Sequence, residues 1–285
     1  MSVQLEDFQL DQNCYAKYTL KTGAKINTYL DGPEDRAKFL IFHGAQSFIE
    51  MLAPFINKLS KNHRVLAIDL PGHGDSDQFP SYSDDVFQDA VVEVLEQLNF
   101  TDYYLIGHSL GGYLAVKAYT SPKFAKFNQR GVIAFCPSGL TTKLAKTTPI
   151  TPQIEGYLLK DFKQSLKSMY TPKQPDPHLP PWLSSHLVSM LVNQLSINAQ
   201  KSLSILKYFS GFDFNGSFDV FKAANDQNVT IVFAENDKTI NSEESATFLT
   251  QNCQEMNVLK IKGTHEILMA EPELCCQIVA KCVGQ

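Results

Sequence analysis

Gly107-His108-Ser109-Leu110-Gly111-Gly112 follows the apolar run Tyr103-Tyr104-Leu105-Ile106 and precedes Tyr113-Leu114-Ala115-Val116-Lys117-Ala118. The first run reads as a buried strand and the last as a helix. A serine with glycine two residues away on each side, set between strand and helix, describes a nucleophile elbow. In so tight a turn the neighbouring side chains would collide, so both flanks require glycine. The serine is then left on a strained backbone with its oxygen pointing away from the sheet.

Working outward, the same kind of run recurs. Phe39-Leu40-Ile41-Phe42, Val65-Leu66-Ala67-Ile68, Val132-Ile133-Ala134-Phe135 and Val229-Thr230-Ile231-Val232-Phe233 are continuous apolar stretches bounded by loop residues. Such stretches suit strands covered on both faces of a largely parallel sheet. Tyr15–Lys21 and Lys25–Leu30 read as two short strands joined at Thr22-Gly23. Between runs lie helical patterns, clearest in Val86, Ala90, Val91, Val94, Leu95 and Leu98, with Asp84 and Asp85 where the helix dipole favours anions. Alternation of strand and helix predicts an α/β fold, a mostly parallel central sheet flanked by helices.

Residues 141–215 break the alternation and hold seven of the fourteen prolines. Three apolar stripes fall there at helical spacing: Ile154, Tyr157, Leu158, Phe162, Leu166 and Met169; Trp182, Leu183, Leu187, Met190, Leu191 and Leu195; and Ala199, Leu203, Leu206 and Phe209. The expected organisation is a core of 1–140 and 216–285 with a helical cap, 141–215, inserted over the sheet's C-terminal edge.

Over 285 residues, 44% are hydrophobic and 19% charged, ordinary for a globular chain with a sizeable core. A net charge of −5 argues against a nucleic-acid-binding face. The N-terminus lacks the basic start and apolar core of a secretory signal, and no apolar stretch reaches the roughly 18 residues of a spanning helix. Six scattered cysteines show no C-x-x-C spacing and read as free thiols of a reducing compartment, so the expected location is cytoplasmic, without stable membrane insertion.

A serine hydroxyl needs a base, a group to orient that base, and donors for an oxyanion. His265, on a late loop after Val258–Ile261, is the expected base. Asp237, in Glu235-Asn236-Asp237-Lys238 after an apolar strand, is the expected orienting acid, with Glu235 and Asp213 as alternatives. Asn-Asp-Lys is also ordinary turn chemistry. The oxyanion donors are expected to be the backbone N–H of Leu110 and that of Ala45, or of Gln46, in Phe42-His43-Gly44-Ala45-Gln46. His43 is expected to brace this loop or to border the pocket.

With the elbow, His43-Gly44, Asp69-Leu70-Pro71-Gly72-His73-Gly74-Asp75-Ser76, the ENDK turn and Gly263-Thr264-His265, the chain resembles the α/β-hydrolase family over nearly its whole length. The resemblance implies an α/β-hydrolase fold and places the family's order of nucleophile, acid and histidine on Ser109, Asp237 and His265. Serine in place of aspartate at the nucleophile points away from the epoxide-hydrolase and dehalogenase branches. Ala45-Gln46 departs from the aromatic or glycines that many relatives carry after His-Gly.

The expected activity is that of a serine hydrolase acting on a small to medium carboxylic ester, through an acyl-enzyme and with no metal or other cofactor. Thioester or carbon–carbon hydrolysis would use the same groups. A rival of another class is a ligand-sensing protein with this fold. Trp182, Met190 and His186 are the expected pocket side chains of the cap; for the apolar residues of its helices, Met169, Tyr170, Phe209 and Phe212 included, packing of the cap onto the core is the plainer alternative to lining an acyl pocket.

Overall fold

Eight strands build one sheet in the order β1-β2-β4-β3-β5-β6-β7-β8. They are β1 (Tyr15–Thr19), β2 (Lys25–Asp31), β3 (Lys38–Phe42), β4 (Arg64–Ile68), β5 (Tyr103–His108), β6 (Gln129–Phe135), β7 (Val229–Ala234) and β8 (Asn257–Ile261). The computed structural model describes residues 3–140, 167, 176–197 and 217–284. β2 runs antiparallel to β1 and β4, whereas every pair from β4 to β8 is parallel. The apolar runs become these parallel strands because both of their faces are covered.

Alternate residues of each strand feed two separate cores. On one face Leu40, Phe42, Leu66, Leu105, Val132 and Ile231 pack against α2 (Asp84–Leu98) and α3 (Leu110–Thr120). On the other, Phe39, Ile41, Val65, Ile106, Ile133 and Val232 pack against α1 (Ala53–Leu59) and the C-terminal helix Pro272–Cys282. α2 begins where Ser83 Oγ accepts the Val86 N–H at 3.2 Å, and Asp84 and Asp85 occupy its first turn.

The strand order positions the site. The chain leaves β3 toward β4 on one side and returns as β5 on the other, so the loops after β3 and β5 diverge. A crevice opens at their carboxyl ends, the topological switch point where ligands of open α/β sheets bind. Ser109 follows β5 there, and His43-Gly44 follows β3.

Of the expected insertion, the structure describes residue 167 and residues 176–197, which include the helix α4 (Pro181–Ile197). The stripes of residues 154–169 and 199–209 lie outside the described residues. Four helices follow α4 among the described residues: α5 (Phe218–Ala223), α6 (Ser242–Asn252) and α7 (Ile267–Ala270), the last leading into α8 (Pro272–Cys282). No helix among the described residues is long and apolar enough to cross a membrane. All six cysteines are unpaired.

Candidate active site

The turn between β5 and α3 is as tight as its glycines require. Ser109 has φ 54° and ψ −118°, a conformation that costs a non-glycine residue about 1–3 kcal/mol. A Cβ on Gly107 would lie 2.1 Å from the Gly111 carbonyl oxygen, and one on Gly111 would lie 2.3 Å from the Phe42 oxygen. Both glycines are therefore demanded by backbone contact. Leu110 opens α3, so its N–H is one of the four with no acceptor inside the helix. Ala45 borders the same cavity as Ser109; Gln46, in the left-handed region at φ 57°, is not among the residues lining it.

His265 Nδ1 donates to Asp237 Oδ2 at 2.8 Å, and the Asp237 side chain is fully buried. The other carboxylate oxygen, Oδ1, accepts the Thr239 and Ile240 N–H groups, each at 2.7 Å. Asp237 is thus both an ordinary turn residue and the partner of an imidazole, one oxygen for each. Burial works to raise its pKa, but the His265 hydrogen bond and charge and the two amides win, holding it below the usual carboxylate value. For His265, burial works downward; the hydrogen bond and charge of Asp237 override it and raise the imidazole above 6.5. Glu235, the alternative acid, is exposed, and Asp213 lies outside the described residues.

Two neighbours escaped the sequence reading. His108 donates from Nε2 to the His265 carbonyl at 2.7 Å, with the two rings 4.8 Å apart. Burial pushes His108 down to about 3, so it stays neutral and acts as a prop beneath the His265 loop. Cys136, fully buried at the end of β6, brings its sulfur, a carboxylate oxygen of Asp237 and a ring nitrogen of His265 within 4.8 Å of one another. Burial, then the nearby Asp237 charge, push that thiol well up, so it remains protonated. No motif marks either residue, because both contacts join segments about 100 or more positions apart.

His43 is a brace and is not among the residues lining the cavity. Its Nδ1 donates to the Gly44 carbonyl at 2.7 Å, and its Nε2 accepts the Leu70 N–H at 3.0 Å, leaving no ring nitrogen for a ligand. Asp69 clamps the same two loops. Its Oδ1 accepts the Ile49 N–H at 2.9 Å; its Oδ2 accepts Asn27 Nδ2 at 2.8 Å and the Asp75 N–H at 2.9 Å. Asp69→Asn would turn an amide NH2 against at least one of these buried donors. Gly74 leaves no room to rearrange, since a Cβ there would lie 2.2 Å from the carboxyl. Urea unfolding of that variant is expected to give a stability lower by about 2 kcal/mol; an unchanged midpoint and slope would contradict the clamp.

Ser109 and His265 line one cavity of about 360 Å³. Its apolar wall among the described residues is Met51, Leu179, Leu187, Val188, Leu191 and Met269, and Ser47, Asp176, Ser184, Lys238, Thr239 and Glu266 add polar groups. Lys238 Nζ reaches Asp176 Oδ2 at 3.3 Å, joining the segment before α4 to the Asp237 turn. The expected pocket side chains of α4 are corrected here. Trp182, His186 and Met190 are spaced by four and share one face, where Trp182 is 39% exposed and His186 packs edge-on to Phe8. The cavity is met by the opposite face, Ser184, Leu187, Val188 and Leu191. Met169, Tyr170, Phe209 and Phe212 lie outside the described residues. His63 is buried against the Phe39 ring.

Comparison with known proteins gives matches of family and fold. The model of the alpha/beta hydrolase family matches residues 39–249. Human "Epoxide hydrolase 4" is 25% identical over 170 residues, 58% of this chain and 42% of that protein. A haloalkane dehalogenase of Psychrobacter cryohalolentis is 35% identical over 105 residues, 34% of this chain and 35% of that protein. The chain thus spans less than half the length of these curated relatives. Among solved structures, the enol-lactonase of Burkholderia xenovorans superimposes with a TM-score of 0.73 at 13% identity, covering 95% of this chain and 100% of that one.

Proposed function

The chain belongs to the α/β-hydrolase family, and we propose that it is a serine hydrolase cleaving small to medium carboxylic esters through an acyl-enzyme. The observation that carries this reading is the convergence on one cavity of Ser109, on its strained turn, and His265, bonded to the buried Asp237. Because Nδ1 gives its hydrogen to Asp237, Nε2 is left as the basic nitrogen. His265 removes the Ser109 proton as Oγ attacks the ester carbonyl, then returns it to the departing alcohol. The N–H groups of Leu110 and Ala45 receive the negative oxygen of the tetrahedral intermediate, as preorganised donors do. Water, activated by the same imidazole, releases the acid and frees Ser109.

Epoxide and haloalkane chemistry, named in two relatives, would run through an aspartate at position 109. The serine there supports acyl transfer in its place. A volume of about 360 Å³ falls near the lower end of the roughly 300–1,000 Å³ of small-molecule sites, which supports a compact acyl group. The lining face of α4 supports the reading of 141–215 as a cap over a core of 1–140 and 216–285.

The reading is tested with a fluorophosphonate probe and a panel of p-nitrophenyl esters and matched thioesters. Labelling of the wild type together with ester turnover is the expected result; a wild type that takes no label would remove it and favour ligand sensing. Faster thioester than ester cleavage would keep the nucleophile and change the substrate. Leu191→Trp, on the cavity face of α4, is expected to lower kcat/KM for an octanoate about tenfold more than for an acetate, since a few methylenes' worth of space is lost. Equal loss on both esters would place the acyl chain elsewhere.

A further inference from the structure

Behind the nucleophile stands a second hydroxyl. Ser138 follows β6 in Phe135-Cys136-Pro137-Ser138, and its Oγ lies 3.4 Å from Ser109 Oγ. Two backbone bonds hold it there. The Ser109 N–H donates to the Phe135 carbonyl and the Ser138 N–H to the Ser109 carbonyl, each at 3.0 Å. Between them Cys136 takes a left-handed turn at φ 45°, folding the chain back against the elbow. Beyond them Gly139, at φ 90°, packs so closely that a Cβ would lie 2.6 Å from Ser217 Cβ. The backbone that carries Ser138 is therefore held against the elbow. Ser138 is buried, 6% exposed, and is not among the residues lining the cavity, so the reacting group it can touch is Ser109.

Hydrogen-bond bookkeeping assigns the direction of the contact during reaction. His265 Nδ1 gives its hydrogen to Asp237, so the Ser109 hydrogen is required by Nε2. Ser109 Oγ can then only accept from Ser138. We propose that Ser138 donates its hydroxyl hydrogen to Ser109 Oγ while negative charge gathers on that oxygen, and so takes part in the catalysis assigned above to Ser109. The Ser138 proton stays on Ser138 throughout; the proton that moves is that of Ser109, to His265 and on to the leaving alcohol. Charge appears on Oγ twice, when the proton leaves it before attack and when the acyl-enzyme collapses and Oγ departs. The resting separation is long for a neutral hydroxyl pair, and a charged acceptor draws such a bond to about 2.5–2.7 Å.

The inference rests on Ser109 as nucleophile, and the experiment separates the two. Fluorophosphonate inactivation is followed at saturating probe for wild type, Ser138→Ala, Ser138→Cys and Ser138→Thr, with thermal unfolding of each. The expected maximal inactivation rate of Ser138→Ala is about tenfold to a hundredfold lower, the range for a hydrogen bond to a charged group, with half-saturation unchanged. Ser138→Thr, which keeps the hydroxyl, is expected within a few-fold of wild type; Ser138→Cys, a weak donor of similar size, falls between. If Ser138→Ala does not fold, the comparison of cysteine with threonine decides. An alanine variant as fast as or faster than wild type, or threonine as slow as alanine, overturns the role of Ser138 alone. A wild type without label overturns the nucleophile and Ser138 with it.

Discussion

Ser109→Ala is expected to lower ester turnover by roughly five to six orders of magnitude and to abolish fluorophosphonate labelling, while the protein unfolds within a few degrees of wild type. On the proposed mechanism the size follows from removing the nucleophile of a hydroxyl–imidazole pair that acts as a unit, which leaves only the help of the oxyanion donors and of binding. The unchanged stability follows from geometry. Alanine is no more strained than serine at φ 54° and ψ −118°, and the lost Oγ contact to Ser138 is a long one of 3.4 Å. Ser109→Gly should be equally inactive, and it relieves the strain because glycine enters the left-handed region without steric cost. Turnover of p-nitrophenyl acetate by purified Ser109→Ala at a tenth of the wild-type rate or more would sink the assignment.

Asp237→Asn should cost about 10⁴-fold in kcat, for a reason specific to this turn. The Thr239 and Ile240 amides both donate to Oδ1 and will hold the one remaining carbonyl oxygen of the asparagine there. The new NH2 must then face His265 Nδ1 as a donor. The imidazole is forced to accept at Nδ1 and carry its hydrogen on Nε2, the tautomer that cannot take the Ser109 proton. The charge that raises His265 above 6.5 is also gone, while burial, which lowers it, remains. The His265 titration followed by NMR is therefore expected to move from above 6.5 in wild type to below it. On the proposed mechanism the imidazole acts when neutral, so wild-type activity is expected to rise with pH through a limb set by that raised value. An active Asp237→Asn beside an inactive Glu235→Gln would show the acid to be misassigned.

These effects concern Ser109 and His265, which line one cavity, and Asp237, buried behind His265. Asp69 and His43 tie the loop after β3, which carries Ala45, to the turn after β4, and neither side chain lines the cavity. His108 props the His265 loop from the elbow side. Binding and chemistry can therefore be varied on α4 and on the exposed loop residues while this frame stays in place.

Much was legible in the amino-acid sequence because it is set by short-range sterics and by pattern. Gly107 and Gly111 announce a turn that only they can make, since the obstructing atoms belong to the elbow itself and to the adjoining strand end. The continuous apolar runs of β3 to β7 announce strands covered on two sides, and the alternation with α2 and α3 announces the parallel sheet. Tertiary structure alone decided what faces what. α4 is apolar around much of its circumference, so periodicity could not say that Leu187 and Leu191, and not Trp182 and Met190, meet the cavity; the packing of Leu183 and Leu187 onto the core sets that rotation. The contacts of His108, Cys136 and Ser138 have no signature in the sequence, because they arise where strand ends brought together by the sheet order touch loops 29 to 157 residues away. Local sequence encodes backbone shape within a turn or two; contacts across a crossover exist only once the strands have taken their order.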